Sequence, residues 1–489
     1  KRMHQIELFR KYPHEVQNEL LMTLLTISKD TEIGKIYDFK SIRNYREFSQ
    51  RVPVSTYEDY QNLIERSRKG EHNIFWSKPI KWFAKSSGTT GAKSKFIPVS
   101  SNSLEDCHYA ASKDLLCMYL NNNEGSTLFN GKNLRLGGSK ELYEENGTVF
   151  GDLSAILIHN MPFWAEFSST PSNRVSLMSD WEYKMQAIVN ETMNENVTSL
   201  AGVPSWMLVL LNNVLETSGN KTILDVWPNL EVYFHGGVSF LPYVDQFKSI
   251  IPSKSVKYYE IYNASEGFFA IQDRNHSDEL LLMLDYGIFY EFIPMYTYGT
   301  ATEKVVPLSE VEKGENYAII VTTNAGLWRY KIGDTVAFTS TSPYRIKVTG
   351  RTKHFINVFG EELIIENTDK AIKIATQKTQ TEIVDYTAAP IFMEGKSKGA
   401  HEWIIEFKTP PKDLEYFVEL LDNSLKALNS DYEAKRYNNI TLNIPQVHVA
   451  QKGLFHKWMK KNNKLGGQHK VPRLSNSRLF IEELLILTK

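Results

Sequence analysis

The stretch KWFAKSSGTTGAKSKFIPVS occupies residues 81–100. It gathers Ser86, Ser87, Gly88, Thr89, Thr90 and Gly91 between an alternating apolar run and two lysines, Lys93 and Lys95. The alternation in IKWFAK, residues 80–85, predicts a strand, and KFIPV predicts a second short strand. The small residues between them therefore form a loop. A loop that grips a polyphosphate needs inward backbone N–H groups, no bulky Cβ in the way, hydroxyl donors and positive charge. All of these are present. A Walker A loop is not, because no Gly-Lys-Ser/Thr follows Gly88 at the required distance. Taken alone, such a cluster is as often a surface loop with capping residues.

The rest of the chain limits the function classes. With 489 residues, two or three domains are expected. The composition, 42% hydrophobic and 23% charged, is that of a globular protein. A formal net charge of -1 gives no general attraction to nucleic acid or anionic membrane. Two cysteines, Cys107 and Cys117, exclude a disulfide scaffold and favour a reducing compartment. The longest apolar runs, such as WMLVLL at residues 206–211, are too short to span a bilayer. The start, KRMHQIELFRKY, does not read as a signal peptide, and a first residue other than Met suggests that a few residues precede it. A cytoplasmic protein is expected.

Helical and strand patterns alternate without internal repeats. STYEDYQNLIERSRKG predicts a helix opened by a Ser55–Glu58 capping box and closed at Gly70. SLEDCHYAASKDLLCMYL predicts another, with Ser103 as its cap. VKYYEIYNASEG, residues 256–267, is a tyrosine-rich strand ending in a polar loop. NYAIIVTTNAGLWRYKIGDTVAF predicts two strands joined at Asn324-Ala325-Gly326. From about Gly350 the texture changes: HEWIIEF and IPQVHVA read as strands and PKDLEYFVELLDNSLKALN as a helix, the pattern of a small α+β domain. Division at 1–349 and 350–489 follows. Residues 451–477 contain no acidic side chain, and such a basic run is usually a solvated face.

Three motifs in order, SSGTTG with its lysine, YNASEG and RYKIGD, resemble those of the adenylate-forming superfamily of acyl-CoA synthetases, peptide-synthetase adenylation domains and luciferases. Lys95 followed by Phe-Ile-Pro, together with VPVSTYEDY, AGVPSWMLVLL and QHKVPR, resembles one branch more closely: the Gretchen Hagen family of auxin-responsive acyl-acid amido synthetases. The likeness spans nearly the whole chain. Plant members tend to have serine where Thr90 stands and a small residue where Asn263 stands, and they are longer.

The resemblance implies an α/β fold: a large adenylate-forming N-terminal domain with β-sheets flanked by helices, and a smaller mobile α+β C-terminal domain. It implies a ligase that uses ATP and Mg²⁺ to convert a carboxylic acid to an acyl-adenylate, then passes the acyl group to an amine, an amino acid in that family. The alternatives are an acyl-CoA ligase, forming a thioester, and a non-catalytic nucleotide-binding relative. Ser86, Ser87, Gly88, Thr89 and Thr90 would wrap the phosphates, with Lys95 as counter-charge. Tyr262 would lie against adenine; without the motif it would read as a core tyrosine. Gly236 and Gly237 would allow close approach of the adenine edge. Ser265 would reach the α-phosphate, and Glu266 would hold Mg²⁺, since a hard cation prefers carboxylate oxygen. Asp334 can accept from both ribose hydroxyls, although Gly-Asp is also an ordinary turn. Arg351 would touch ribose or phosphate, and Lys470, from the C-terminal domain, would enter for adenylation. His235 reads as a packing histidine, and residues 160–167 and 203–211 as acyl-pocket candidates. Small-molecule substrates, no nucleic acid or membrane partner, and a monomer are expected.

Overall fold

The computed structural model describes residues 2–86, 95–137, 142–161, 163–178, 181–237, 240–352, 355–356, 361, 363–392, 398–429, 432–433, 436, 442–462, 471–475 and 477–488. Ser87, Gly88, Thr89, Thr90 and Lys470 lie outside the described residues.

One twelve-stranded sheet dominates the first 351 residues. Four of its strands, Lys132–Leu136, Val197–Gly202, Val232–Gly236 and Lys257–Ala264, run parallel to one another. From Lys257–Ala264 onward the neighbours are antiparallel: Gly267–Ile271, Leu280–Leu282, Tyr344–Arg351, Tyr330–Thr341, Asn316–Thr323 and Ile288–Pro294. Helices cover both faces. Every residue of Val232–Gly236 and of Ile288–Pro294 is buried, so both faces of these strands are covered. Over the parallel half, Met207, Leu210, Leu211 and Val214 of helix Pro204–Ser218 form one core with Leu200, Tyr233 and Phe247. Most of the apolar positions in 203–211 therefore support the sheet, and Val209 is the exposed exception.

Strand Trp82–Ser86 pairs antiparallel with Lys95–Val99 in a separate four-stranded sheet. Ser86 lies opposite Lys95, so the two ends of the glycine-rich loop are fixed side by side.

The C-terminal region has its own three-stranded sheet, Glu382–Ile391, Ala400–Thr409 and Gln446–Ala450. Period-two alternation in the middle strand explains its two cores. Trp403, Ile405 and Phe407 pack with helices Ile365–Thr379 and Leu414–Leu428; Ile404 packs with Leu454, Phe455, Trp458 and Leu484 from the other side. Glu406, on the second face, accepts hydrogen bonds from the backbone N–H groups of Gly453 (2.6 Å) and Phe455 (3.3 Å), placing a carboxylate at the start of helix Leu454–Lys461.

Two capping expectations shift. Helix Tyr57–Arg68 is opened by Thr56 and Asp59, not Ser55 and Glu58: the Asp59 carboxylate accepts from the Thr56 N–H (2.8 Å) and hydroxyl (2.9 Å). Ser55 is taken up elsewhere. Its N–H bonds the Arg329 carbonyl, its hydroxyl the Trp328 carbonyl, and its own carbonyl accepts from Lys331. Ser103 is likewise not a cap; it exchanges hydrogen bonds with Ser100, which begins the helical segment.

Arg329 fixes the chain at the first position of RYKIGD. It is buried, with φ +46°, and holds the Glu291 carboxylate through Nε (2.9 Å) and Nη2 (2.8 Å). Its Nη1 donates to the carbonyls of Ser49 and Val52. Glu291→Ala would leave this guanidinium buried without its counter-charge. A loss of about 3–5 kcal/mol in unfolding free energy by chemical denaturation is expected.

Candidate active site

The site gathers where the parallel half of the sheet gives way to the antiparallel half. Ligands bind beyond the carboxyl ends of parallel strands because adjacent connections diverge there and leave a crevice. Val232–Gly236 and Lys257–Ala264 both end at this edge. Ala264 pairs with Gly267, so Ser265 and Glu266 are the two central residues of a tight hairpin turn. Ser265 is buried.

Asp334 is the centre of the constellation. One oxygen accepts from the Tyr262 hydroxyl at 2.8 Å, the other from Arg351 Nε at 2.6 Å. Strand pairing sets this geometry, because Asp334 lies opposite Arg351 in the antiparallel register. Gly333, at φ +86°, supplies the left-handed backbone before it, and its carbonyl accepts from the Thr352 N–H at 2.8 Å. A carboxylate has about four lone-pair sites, so two bonds leave Asp334 capacity for two further donors. Tyr262 is buried, its ring 4.9 Å from that of Phe269. It is thus both a core tyrosine and the partner of Asp334. Burial, then the neighbouring Asp334, keep its hydroxyl protonated far above the ordinary range. Arg351 is held above its ordinary value chiefly by Asp334, and 42% of its side chain is exposed. Among the described residues, no hydrogen bond engages its two terminal amino groups.

Glu266 carries the electrostatic signature of the site. Burial, then Asp334, push its carboxyl up to about 7, against the pull of Arg351 and Lys95. Lys95 lies at the start of its strand, its Nζ 5.3 Å from the Tyr57 ring centroid. Tyr57 in turn accepts the Phe96 N–H at 2.9 Å. Ser86 is placed by its backbone opposite Lys95.

The glycines after strand Val232–Gly236 have local reasons of their own. A Cβ on Gly236 would stand 2.4 Å from the Ile261 carbonyl oxygen, and Gly237 has φ +80°. His235 stacks on Phe240 at 4.1 Å between ring centroids. Burial drops its pKa to about 3, which keeps the imidazole neutral.

One residue escaped the sequence reading. Tyr330 is fully buried, and among the described residues its hydroxyl has no hydrogen-bond partner. Burial, then Glu266, raise its pKa. A buried hydroxyl of that kind calls for a hydrogen-bond partner. The signal was in the sequence: Tyr330, Ile332 and Asp334 alternate, so Tyr330 and Asp334 share a strand face.

Among the described residues no group of three or more His, Cys, Asp or Glu side chains could cage a metal. The donor set at Glu266 suits Mg²⁺, which is usually held by one or two carboxylates together with substrate phosphates.

Comparison with known proteins gives the chain a family. Residues 2–256 match the model of the GH3 family N-terminal domain, 281–351 the central domain and 366–479 the C-terminal domain. The chain belongs to the GH3 family. Two curated GH3-like relatives are indole-3-acetic acid-amido synthetase GH3.4 of Arabidopsis thaliana and jasmonoyl-L-amino acid synthetase JAR6 of Nicotiana attenuata. The first is 23% identical over 96% of this chain and 90% of its own length. The second is 23% identical over 96% and 92%. Among solved structures, a GH3.15 acyl acid amido synthetase superposes with a TM-score of 0.80 at 18% identity, covering 99% of this chain and 95% of that one. The large α/β region with a smaller C-terminal α+β region is therefore the GH3 fold, as the motifs implied.

Proposed function

We propose that this GH3 protein is an adenylate-forming ligase that activates a carboxylic acid with ATP and transfers the acyl group to an amino acid, forming an amide. The observation that carries the reading is the Tyr262–Asp334–Arg351 cluster with Glu266 beside it, at the carboxyl edge of the parallel strands in a GH3-family chain. The names of its relatives as amido synthetases support the same chemistry.

The chemistry explains the residue types. A free carboxylate is a poor acyl donor because oxide is its leaving group. Its oxygen attacks the α-phosphorus of ATP, pyrophosphate departs, and the acyl carbon acquires AMP as leaving group. An amine then attacks that carbon, AMP leaves and the amine gives up a proton. The protein has to hold the nucleoside, neutralise the phosphates and align the carboxylate. Asp334 uses its spare acceptor capacity for the ribose hydroxyls, and Tyr262 holds it in place while offering its ring to adenine beside Gly236 and Gly237. The terminal amino groups of Arg351 suit ribose or phosphate oxygen. Ser86, Ser87, Gly88, Thr89, Thr90 and Lys95 take the β- and γ-phosphates, and Ser265 the α-phosphate. Glu266 would hold Mg²⁺, which when bound neutralises phosphate charge. Lys470 bridges carboxylate and α-phosphate during the first step, brought in by a C-terminal unit, 350–489, that moves against 1–349. No helix among the described residues is long and apolar enough to cross a membrane. A monomeric cytoplasmic enzyme of small-molecule substrates fits this reading.

Acid-dependent ATP–pyrophosphate exchange across a panel of carboxylic acids tests the first half-reaction. The same panel with amino acids or CoA tests the second. Amide product upholds the proposal; thioester product assigns a CoA ligase, and no exchange with any acid assigns a nucleotide-binding relative without catalysis. The ribose assignment has its own test. Asp334→Asn keeps the shape but only one accepting oxygen, and calorimetry should show ATP binding weakened by about 1–3 kcal/mol.

A further inference from the structure

The C-terminal region meets the large α/β region at a short turn. Residues 240–246 follow Gly236 and Gly237 and hold the helical turn Leu241–Tyr243 and the start of helix Val244–Ile250. Tyr243 is buried in the core that contains Tyr233 and Phe247, so packing fixes its ring. Its hydroxyl accepts from Arg473 Nη2 at 3.0 Å. Gln246, buried and three positions on, donates from Nε2 to the Ile383 carbonyl at 3.0 Å. Met459 of helix Leu454–Lys461 packs against the same core as Tyr243 and against a core of the C-terminal region.

Both polar partners lie along one strand of the C-terminal sheet, Glu382–Ile391. Residues 471–475 are sewn to it: the Ala388 N–H donates to the Arg473 carbonyl at 2.8 Å, and the Ser475 N–H to the Ala388 carbonyl at 3.2 Å. Near the start of that strand Val384 is an extra residue, because Ile383 pairs with Phe407 and Asp385 with Glu406. Such a bulge re-aims the groups beside it. Here those groups are the Ile383 carbonyl, taken by Gln246, and the Asp385 carboxylate, 3.6 Å from the Arg473 guanidinium. Asp369 holds the same guanidinium at 3.4 Å. The C-terminal region thus presents an oriented cation and a carbonyl, and the turn presents a hydroxyl and an amide that match them.

Lys470 precedes Arg473 by three positions, so at most about 10 Å of chain separates their Cα atoms. Whatever holds Arg473 against the turn after Gly237 therefore keeps Lys470 close to that turn. We infer that Tyr243 and Gln246 are positioning residues for adenylation: by clasping Arg473 and the Ile383 carbonyl, they hold the C-terminal region where Lys470 reaches the α-phosphate. The inference rests on the adenylation role proposed for Lys470. Acyl transfer needs Lys470 withdrawn and gains nothing from the clasp.

Tyr243→Phe removes the accepting oxygen and leaves the ring in its core, and Gln246→Leu removes the donor at similar volume. One net hydrogen bond shifts an equilibrium of this kind by about 2- to 10-fold. Each substitution is expected to slow acid-dependent ATP–pyrophosphate exchange by about that factor, and the pair by about 10- to 50-fold. Amide formation from a synthetic acyl-adenylate should be undiminished in the pair, which also shows that the variant is folded. Hydrogen–deuterium exchange of the nucleotide-free pair should quicken several-fold across residues 382–386. Unaltered pyrophosphate exchange in the pair, or equal loss in both half-reactions, would overturn the inference. Lys470→Ala, assayed alongside, separates two failures. If it slows pyrophosphate exchange and the pair does not, the clasp alone is rejected; if neither slows it, the role of Lys470 is rejected and the clasp with it.

Discussion

Glu266→Gln is expected to lose the first half-reaction by about 100-fold or more and, in the nucleotide-free protein without magnesium, to raise thermal stability at pH 8. The two effects share one cause. The Glu266 carboxyl is pushed up to about 7 by burial and by Asp334, against an ordinary value of 4.5. Below 4.5 the folded and unfolded chains both carry the proton, and nothing is lost. Between 4.5 and about 7 the unfolded chain releases its proton while the folded one keeps it, so stability falls as pH rises. Above 7 the full penalty is present, of order 1–3 kcal/mol. Glutamine carries no charge and escapes it. Its stability advantage over the unmodified protein should therefore grow from pH 5 to pH 8, read as the difference in Tm. The same substitution removes the carboxylate that Mg²⁺ would use, and metal stabilisation of transition-state charge is worth several kcal/mol. Pyrophosphate exchange measures that loss. Unchanged exchange at low Mg²⁺ would reject the metal assignment, and a Tm advantage independent of pH would reject the electrostatic account.

Lys470→Ala is expected to cut adenylation about 100- to 1000-fold, the scale of removing one preorganised transition-state partner. Amide formation from a synthetic acyl-adenylate should change by less than about tenfold. The first step calls for an ammonium between carboxylate and α-phosphate, whereas the second calls for an open path to the acyl carbon. The residues that follow Lys470 are firmly anchored: Val471 is buried, and the Arg473 carbonyl accepts from the Ala388 N–H at 2.8 Å. The Arg473 guanidinium lies 4.5 Å from the Tyr386 ring centroid, reaches Asp385 at 3.6 Å and donates to the Tyr243 hydroxyl at 3.0 Å. That last bond joins the C-terminal region to the turn after Gly237. Movement of the C-terminal unit between the two steps would have to break and remake it. Equal loss in both half-reactions would show that Lys470 is not specific to the first.

Much of this was legible in the chain. Alternation gave strand Trp82–Ser86, apolar runs gave Asn316–Thr323 and Ala400–Thr409, which are buried on both faces, and the helical pattern gave Leu414–Leu428. The family resemblance of YNASEG and RYKIGD pointed to Tyr262, Glu266 and Asp334, and the structure brings these three together. Helix starts were less secure. Ser55 read as the cap, but a pairing with Arg329, Trp328 and Lys331, more than 270 positions away, takes it up and leaves that role to Thr56.

What the sequence by itself determined was the periodicity, the motifs and hence the family, since each is written in neighbouring residues. Only the tertiary structure decided that Asp334 is shared between Tyr262 and Arg351, and that the buried Tyr330 hydroxyl has no partner among the described residues. The physical reason is that hydrogen-bond capacity, desolvation and charge balance depend on which groups the sheet register brings within a few ångströms, and register joins residues far apart in the chain.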